Sequence, residues 1–211
     1  MKQQILLTIF AVASIGVAGA PFCATAQTAR APVPGARAPA SLISLPRCVW
    51  GKLKAGDRKP LLMSTETNDT AGIEGALTEI KADTLLQARA CSPSIDHDAS
   101  TGDAVLLAGL PQEAAADLLN RDLKLTRVQL DHAVAAAPAA LTADLRKAAD
   151  NVENKRPVGA LPPLDPIVAA LHRPAGSAAL TARQSLWLQV YVLGHFEVRA
   201  AADSYDPNPK L

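Results

Sequence analysis

The sequence predicts an all-α fold: a small Ala-rich bundle of about six helices with one disulfide, preceded by a signal peptide and a Pro-rich tether. Alanine, which has the highest helix propensity, accounts for about a fifth of the 211 residues. Aromatic residues, which favour strands, make up only 3 %. Apolar residues also recur at spacings of three and four in several segments, as they do on the buried face of a helix.

The first 26 residues have the features of a cleavable secretory signal peptide. Lys2 precedes an apolar and small-residue run over residues 5–20, and residues 24–26 read Ala-Thr-Ala, which places cleavage before Gln27. The rival interpretation is an uncleaved anchor, but a membrane span needs roughly 20 strongly apolar residues and this run is weaker. We therefore expect a periplasmic or secreted protein that is not attached to the membrane after cleavage.

The mature chain is expected to form one domain of about 185 residues, which is enough for a substantial core. Residues 27–46 contain four prolines among alanines and arginines, and this composition predicts a disordered or extended linker. Residues 47–205 are predicted to form a single helical domain. Residues 206–211 are predicted to form a C-terminal tail.

Charge and cysteine content limit the partners and the compartment. Lys2 is the only charged side chain in residues 1–26, so the mature chain has equal numbers of basic and acidic residues. This balance argues against a nucleic-acid partner and against electrostatic binding to a membrane. Cys48 and Cys91 are the two cysteines left after cleavage, and in an oxidising compartment such a pair predicts a structural disulfide.

The apolar periodicity places the first helices along the chain. A capping residue at positions 68–70 precedes a helix that ends at Cys91 and whose three- and four-residue spacing comes from Ile73, Leu77, Ile80, Thr84 and Ala88. A polar loop over residues 92–102 leads to a short helix over residues 103–110. Pro111 suits the first position of the next helix, which runs to about Arg121.

The second half of the chain predicts helices over residues 125–137 and 141–154. After a Pro/Gly-rich connector over residues 157–166 comes a short helix around residues 167–171. Residues 181–202 are apolar on nearly every side of a helix, as is typical of a helix at the centre of a bundle. Alternation of apolar and polar residues over 188–199 also fits a strand, but the sequence offers no partner strand.

No known catalytic sequence motif is present, and we expect neither a cofactor nor a metal. The Asp-His-Asp run at residues 96–98 is metal-capable, but an EF-hand register there has Thr101 in place of the glycine and Leu107 in place of the final glutamate. Asp131 and His132 are adjacent on a predicted helix and diverge by about 100°, so we expect both at the surface.

Trp187, Tyr191, His195 and Arg199 are the candidate ligand-binding residues, because their four-residue spacing puts them in one stripe along the last helix. The aromatic rings could stack on a ligand, and His195 or Arg199 could bind a carboxylate. The alternative is that Trp187 and Tyr191 are core residues, with His195 at the rim of the bundle. Large aromatics are dominant core formers, so the core interpretation is favoured.

Two functions are compatible with these observations. The first is an exported, non-catalytic helical module that interacts with another envelope protein. The missing motifs, the neutral charge and the Pro-rich tether favour it. The second is a small-molecule-binding protein or enzyme that uses the stripe. An open concave pocket around the stripe would favour the second function, and dry packing of the same side chains would favour the first.

Overall fold

The computed structural model describes residues 40–92, 100–154, 156, 160–171 and 178–204. These residues form nine helices and no strand, which confirms the all-α prediction but not the number of about six helices. The predicted signal peptide, the linker over residues 27–39, the Asp-His-Asp run at residues 96–98 and the tail over residues 206–211 lie outside the described residues.

The helices follow one another with short connections. In chain order they are α1 (Ala40–Lys52), α2 (Ala55–Thr67), α3 (Thr70–Glu79), α4 (Lys81–Cys91), α5 (Ser100–Leu123), α6 (Arg127–Ala135), α7 (Ala139–Glu153), α8 (Asp165–Ala170) and α9 (Ala182–Asp203).

Helix α1 corrects the predicted linker, since residues 40–46 are helical rather than extended. Leu42, Leu45 and Val49 recur on one face of α1 and are buried in the core. Pro46 lies inside the helix, where it removes one backbone hydrogen bond. Its ring packs against Gly109 of α5, where a Cβ atom would overlap the ring.

Two predicted helix boundaries are also wrong. The single helix expected to end at Cys91 is divided at Ile80, which ends α3 and precedes α4. Conversely, the two helices expected on either side of Pro111 are one 24-residue helix, α5. Pro111 disfavours a continuous helix, because its ring crowds the preceding turn and its nitrogen lacks a hydrogen, but buried residues on both sides of it pack α5 into the core.

Helix α9 is confirmed as a helix, and the strand alternative is wrong. Its first turn is closed by a capping box, in which Thr181 Oγ1 accepts from the Gln184 amide at 3.2 Å and Gln184 Oε1 accepts from the Thr181 amide at 3.0 Å. Most of its length is buried, as the apolar circumference predicts.

The core is built around α5 and α9, which pack against each other more extensively than any other pair. They are antiparallel, since Gly109 lies near Val198 and Gln112 lies near Gly194. A Cβ atom at Gly194 would come within 2.8 Å of Gln112, so glycine is needed for this close approach. One buried cluster joins both helices to α6, α7 and α8, and another joins them to α1–α4.

The predicted disulfide is confirmed: Cys48 and Cys91 are bonded and tie α1 to the end of α4. Within the part of the chain that the structure describes, every helix is too short or too polar to cross a membrane.

Candidate functional site

The structure separates the four residues of the predicted stripe. Trp187 is 1 % exposed and its Nε1 donates to the Glu66 carbonyl oxygen at the end of α2, 3.3 Å away, so it lies in the core. His195 and Arg199 instead line a groove, and the Tyr191 hydroxyl reaches the groove wall through Asp131. Tyr191 is fully buried in the core, as Trp187 is, so the stripe contributes only His195 and Arg199 to the groove surface.

This groove lies between α1, α6 and α9 and has a volume of about 610 Å³. We call it the basic groove, because three arginines and two histidines line it against one carboxylate. These residues are Arg47, Arg127, Arg199, His132, His195 and Asp131.

Asp131 is the centre of a network of polar side chains on the groove wall, and its own side chain is 42 % exposed, in agreement with the surface position predicted for it. Its Oδ1 accepts from the Tyr191 hydroxyl at 2.6 Å, lies 3.7 Å from His195 Nδ1 and is 3.3 Å from Arg127 Nε. Burial alone would raise the pKa of the Asp131 carboxyl, but the nearby His195, the hydrogen bond from Tyr191 and the Arg127 charge lower it to about 2. Asp131 is therefore a fixed negative charge.

Arg127 links this network to a second carboxylate below it. The guanidinium forms a short ion pair with the buried Glu113 and lies 4.9 Å from the centre of the Tyr191 ring. Burial raises the pKa of Glu113 in spite of the opposing charges of Arg127 and Arg47. Burial also raises the pKa of Tyr191, so its hydroxyl stays protonated and donates to Asp131. Asp131, Tyr191, Arg127 and Glu113 therefore form one connected polar network on the groove wall, and their charges are paired within it.

The positive charge of the groove that is not held in an ion pair comes from its rim, although Arg47 is close enough to Glu113 to oppose the rise of that carboxyl's pKa. Arg47 and Arg199 are exposed, and within the described residues neither makes an ion pair or a side-chain hydrogen bond. The sequence did not identify Arg47, Glu113 or Arg127, because they lie on three other helices. The four-residue spacing of Arg127 and Asp131 was the one local signal available.

A second cavity lies on another side of α9, between α3 and α4 on one side and α5 and α9 on the other. Its volume is about 580 Å³ and its walls are mainly leucine, isoleucine, valine and alanine. We call it the Glu197 cavity, because the Glu197 side chain lines it and the Oε1 atom is buried with no hydrogen-bond partner in the described structure. Burial raises the pKa of this carboxyl to about 7.

No protein-family model, curated protein or solved structure matches this chain. The function has to follow from the chemistry of the groove and the cavity. Within the described residues, no three His, Cys, Asp or Glu side chains are placed together to hold a metal ion.

The raised pKa of Glu197 predicts a pH dependence of stability. The unfolded carboxyl releases its proton near 4.5 and the folded one near 7, so the unfolded state binds fewer protons in between. The free energy of unfolding should therefore fall, by on the order of 3 kcal/mol, between about pH 5 and about pH 8. Glu113, whose pKa burial also raises, acts in the same direction as Glu197. Asp131 has the opposite effect, but with its pKa at about 2 it acts at lower pH.

Urea unfolding at about pH 5 and about pH 8 measures this difference. Glu197→Gln should remove most of it, whereas Glu79→Gln, at an exposed position of α3, should leave it unchanged. If the free energy of unfolding of the Glu197→Gln variant falls between these pH values as much as that of the parent, the pH dependence belongs to other groups.

Proposed function

We propose that this protein is an exported, non-catalytic binding protein whose basic groove holds a carboxylate-rich segment of another envelope protein. The observation that carries the proposal is the pair of exposed arginines, Arg47 and Arg199, at the rim of a preformed groove. Arginine presents a planar fork of donors that matches a carboxylate. Two such side chains, on α1 and α9, suit a ligand with more than one carboxylate.

Binding is favoured over catalysis by how the groove residues are used. The Tyr191 hydroxyl donates to the Asp131 carboxylate, and His195 lies on the same carboxylate oxygen at a longer distance. Ser44 also lines the groove, but its hydroxyl donates to the Ser41 carbonyl oxygen at 3.2 Å. A nucleophile needs a base within hydrogen-bond reach, and a hydroxyl held by its own helix is not so placed.

The preceding part of the same chain is a poor occupant of the groove. Residues 27–39 lead directly to Ala40 at the groove edge, yet they contain Arg30 and Arg37 and no acidic residue. Their charge has the same sign as the groove. Charge complementarity therefore favours an acidic segment of a different protein.

A small carboxylate-bearing molecule is the second candidate, since Arg199 and His195 line the same concave surface. This small molecule differs from the proposed peptide ligand in length. A molecule with two carboxylates reaches one or two cations, whereas a peptide also covers the exposed Val128 side chain beside them.

Calorimetric titration of the mature protein with a hexaglutamate peptide and, separately, with glutarate tests the proposal. We expect the peptide to bind more tightly than glutarate and to bind less tightly as salt rises. Arg199→Glu should weaken peptide binding by roughly tenfold, because it replaces an attraction with a repulsion.

Lys59→Glu is the matched control, since it makes the same change of charge at an exposed position in another basic stretch, over residues 52–59. It should leave peptide binding within about twofold of the parent. Equal weakening by both variants would contradict binding in the groove. Equal affinity for glutarate and the peptide would favour the small-molecule alternative.

A further inference from the structure

The Glu197 cavity is a second concave surface that the proposed function does not use. Glu197 follows His195 by two residues, which places it about 200° around α9, on the side away from the basic groove. The cavity walls come from α3, α4, α5, α7 and α9. Its volume of about 580 Å³ lies within the range of small-molecule sites.

The cavity is apolar and has an apolar mouth. Ile73, Leu77, Leu110 and Leu193 are buried residues of its walls. Leu107 also lines it and is 54 % exposed, so apolar surface continues from the interior to the solvent. Such a surface favours a ligand with a hydrocarbon body.

Glu197 is the unusual group in these walls. Its Oε1 is buried without a hydrogen-bond partner, and burying a carboxylate without a partner is costly. The fold provides a cation where another carboxylate is buried, because Glu113 is paired with Arg127. At Glu197 there is none within the described structure.

The other charged groups of the cavity do not satisfy Glu197. They are Glu74 on α3, Lys81 on α4 and Asp103 on α5. The exposed Lys81 pairs through its Nζ with Oδ2 of the half-buried Asp103, 3.3 Å away. Glu74 carries the same negative charge as Glu197 and cannot pair with it. The Thr84 Oγ1 atom, on the α4 wall, is a second buried oxygen without a partner.

We propose that the Glu197 cavity binds an apolar small molecule that carries an amine, with the ammonium group paired to Glu197 and the hydrocarbon body against the leucine walls. An ammonium group carries three donors, so it can supply the hydrogen bond that Glu197 Oε1 lacks. A carboxylate-bearing molecule is repelled by Glu197. A neutral alcohol of the same length makes the same contacts with the leucine walls but cannot make a charge-assisted hydrogen bond to Glu197.

Calorimetry with three probes of the same chain length tests this: n-octylamine, n-octanol and octanoate, each below its aggregation threshold. The titrations use the mature protein at about pH 8, where Glu197 is largely ionised and the alkylammonium is still protonated. We expect octylamine to bind about tenfold more tightly than octanol or better, and octanoate to bind most weakly.

Glu197→Gln, which keeps the shape of the side chain, should reduce the preference for octylamine over octanol to less than about twofold. Glu79→Gln, an exposed change of the same chemistry, should preserve the preference. Circular dichroism establishes that both variants are folded. Equal affinity for octylamine and octanol in the parent protein, or an octylamine preference that survives Glu197→Gln, would overturn the proposal. Neither outcome depends on the basic groove.

Discussion

Replacing Trp187 with alanine should lower the free energy of unfolding by roughly 3–5 kcal/mol, as the loss of a large aromatic from a packed interior does. Trp187 is 1 % exposed and is one of the largest fully buried side chains described. The substitution also removes the hydrogen bond from Nε1 to the Glu66 carbonyl oxygen and the contact with the Arg121 guanidinium, 5.8 Å from the ring. Urea unfolding followed by circular dichroism measures the change.

Two variants separate the causes of this loss. Trp187→Phe keeps most of the volume and should cost clearly less than Trp187→Ala. Leu86→Ala removes a large apolar side chain that is 62 % exposed and should change the stability by no more than about 0.5 kcal/mol. A Trp187→Ala protein that unfolds at the parent's urea concentration would contradict the core assignment.

Removing the disulfide by the double substitution Cys48→Ser and Cys91→Ser should cost roughly 4 kcal/mol, because a 43-residue separation gives a large loop-closure entropy in the unfolded chain. The reduced parent protein should match the double variant in urea unfolding. Titration of the denatured, unreduced protein should find no free thiol. Two free thiols, or a double variant as stable as the parent, would contradict a stabilising disulfide between Cys48 and Cys91.

The sequence predicted those helices whose buried residues recur at spacings of three and four along one continuous segment. Helices α6, α7 and α9 lie close to their expected positions, and counting the cysteines was enough to pair Cys48 with Cys91. Helices α1 and α2 were not predicted, because Pro46 and Pro60 lie inside them. Their helical conformation depends on packing against distant residues, such as Gly109, which no local pattern reports.

The candidate site was predictable only along α9. The stripe placed His195 and Arg199 together because residues four apart share a helix face. Trp187 belongs to the same stripe but lies three turns before Arg199, beneath the end of α2. Arg47 and Arg127 reach the groove through the tertiary fold, and nothing in the sequence distinguishes Glu197 from a solvated glutamate on the opposite side of α9.

A nuclear magnetic resonance titration of the mature, ¹⁵N-labelled protein with hexaglutamate tests the central claim, binding in the basic groove, most directly. We predict that the largest amide shifts occur in α1, α6 and α9, around Ile43, Val128 and Arg199, which line the groove. We also predict that they are lost in Arg199→Glu. The largest shifts over residues 52–59, or the same shifts in Arg199→Glu as in the parent, would contradict the claim.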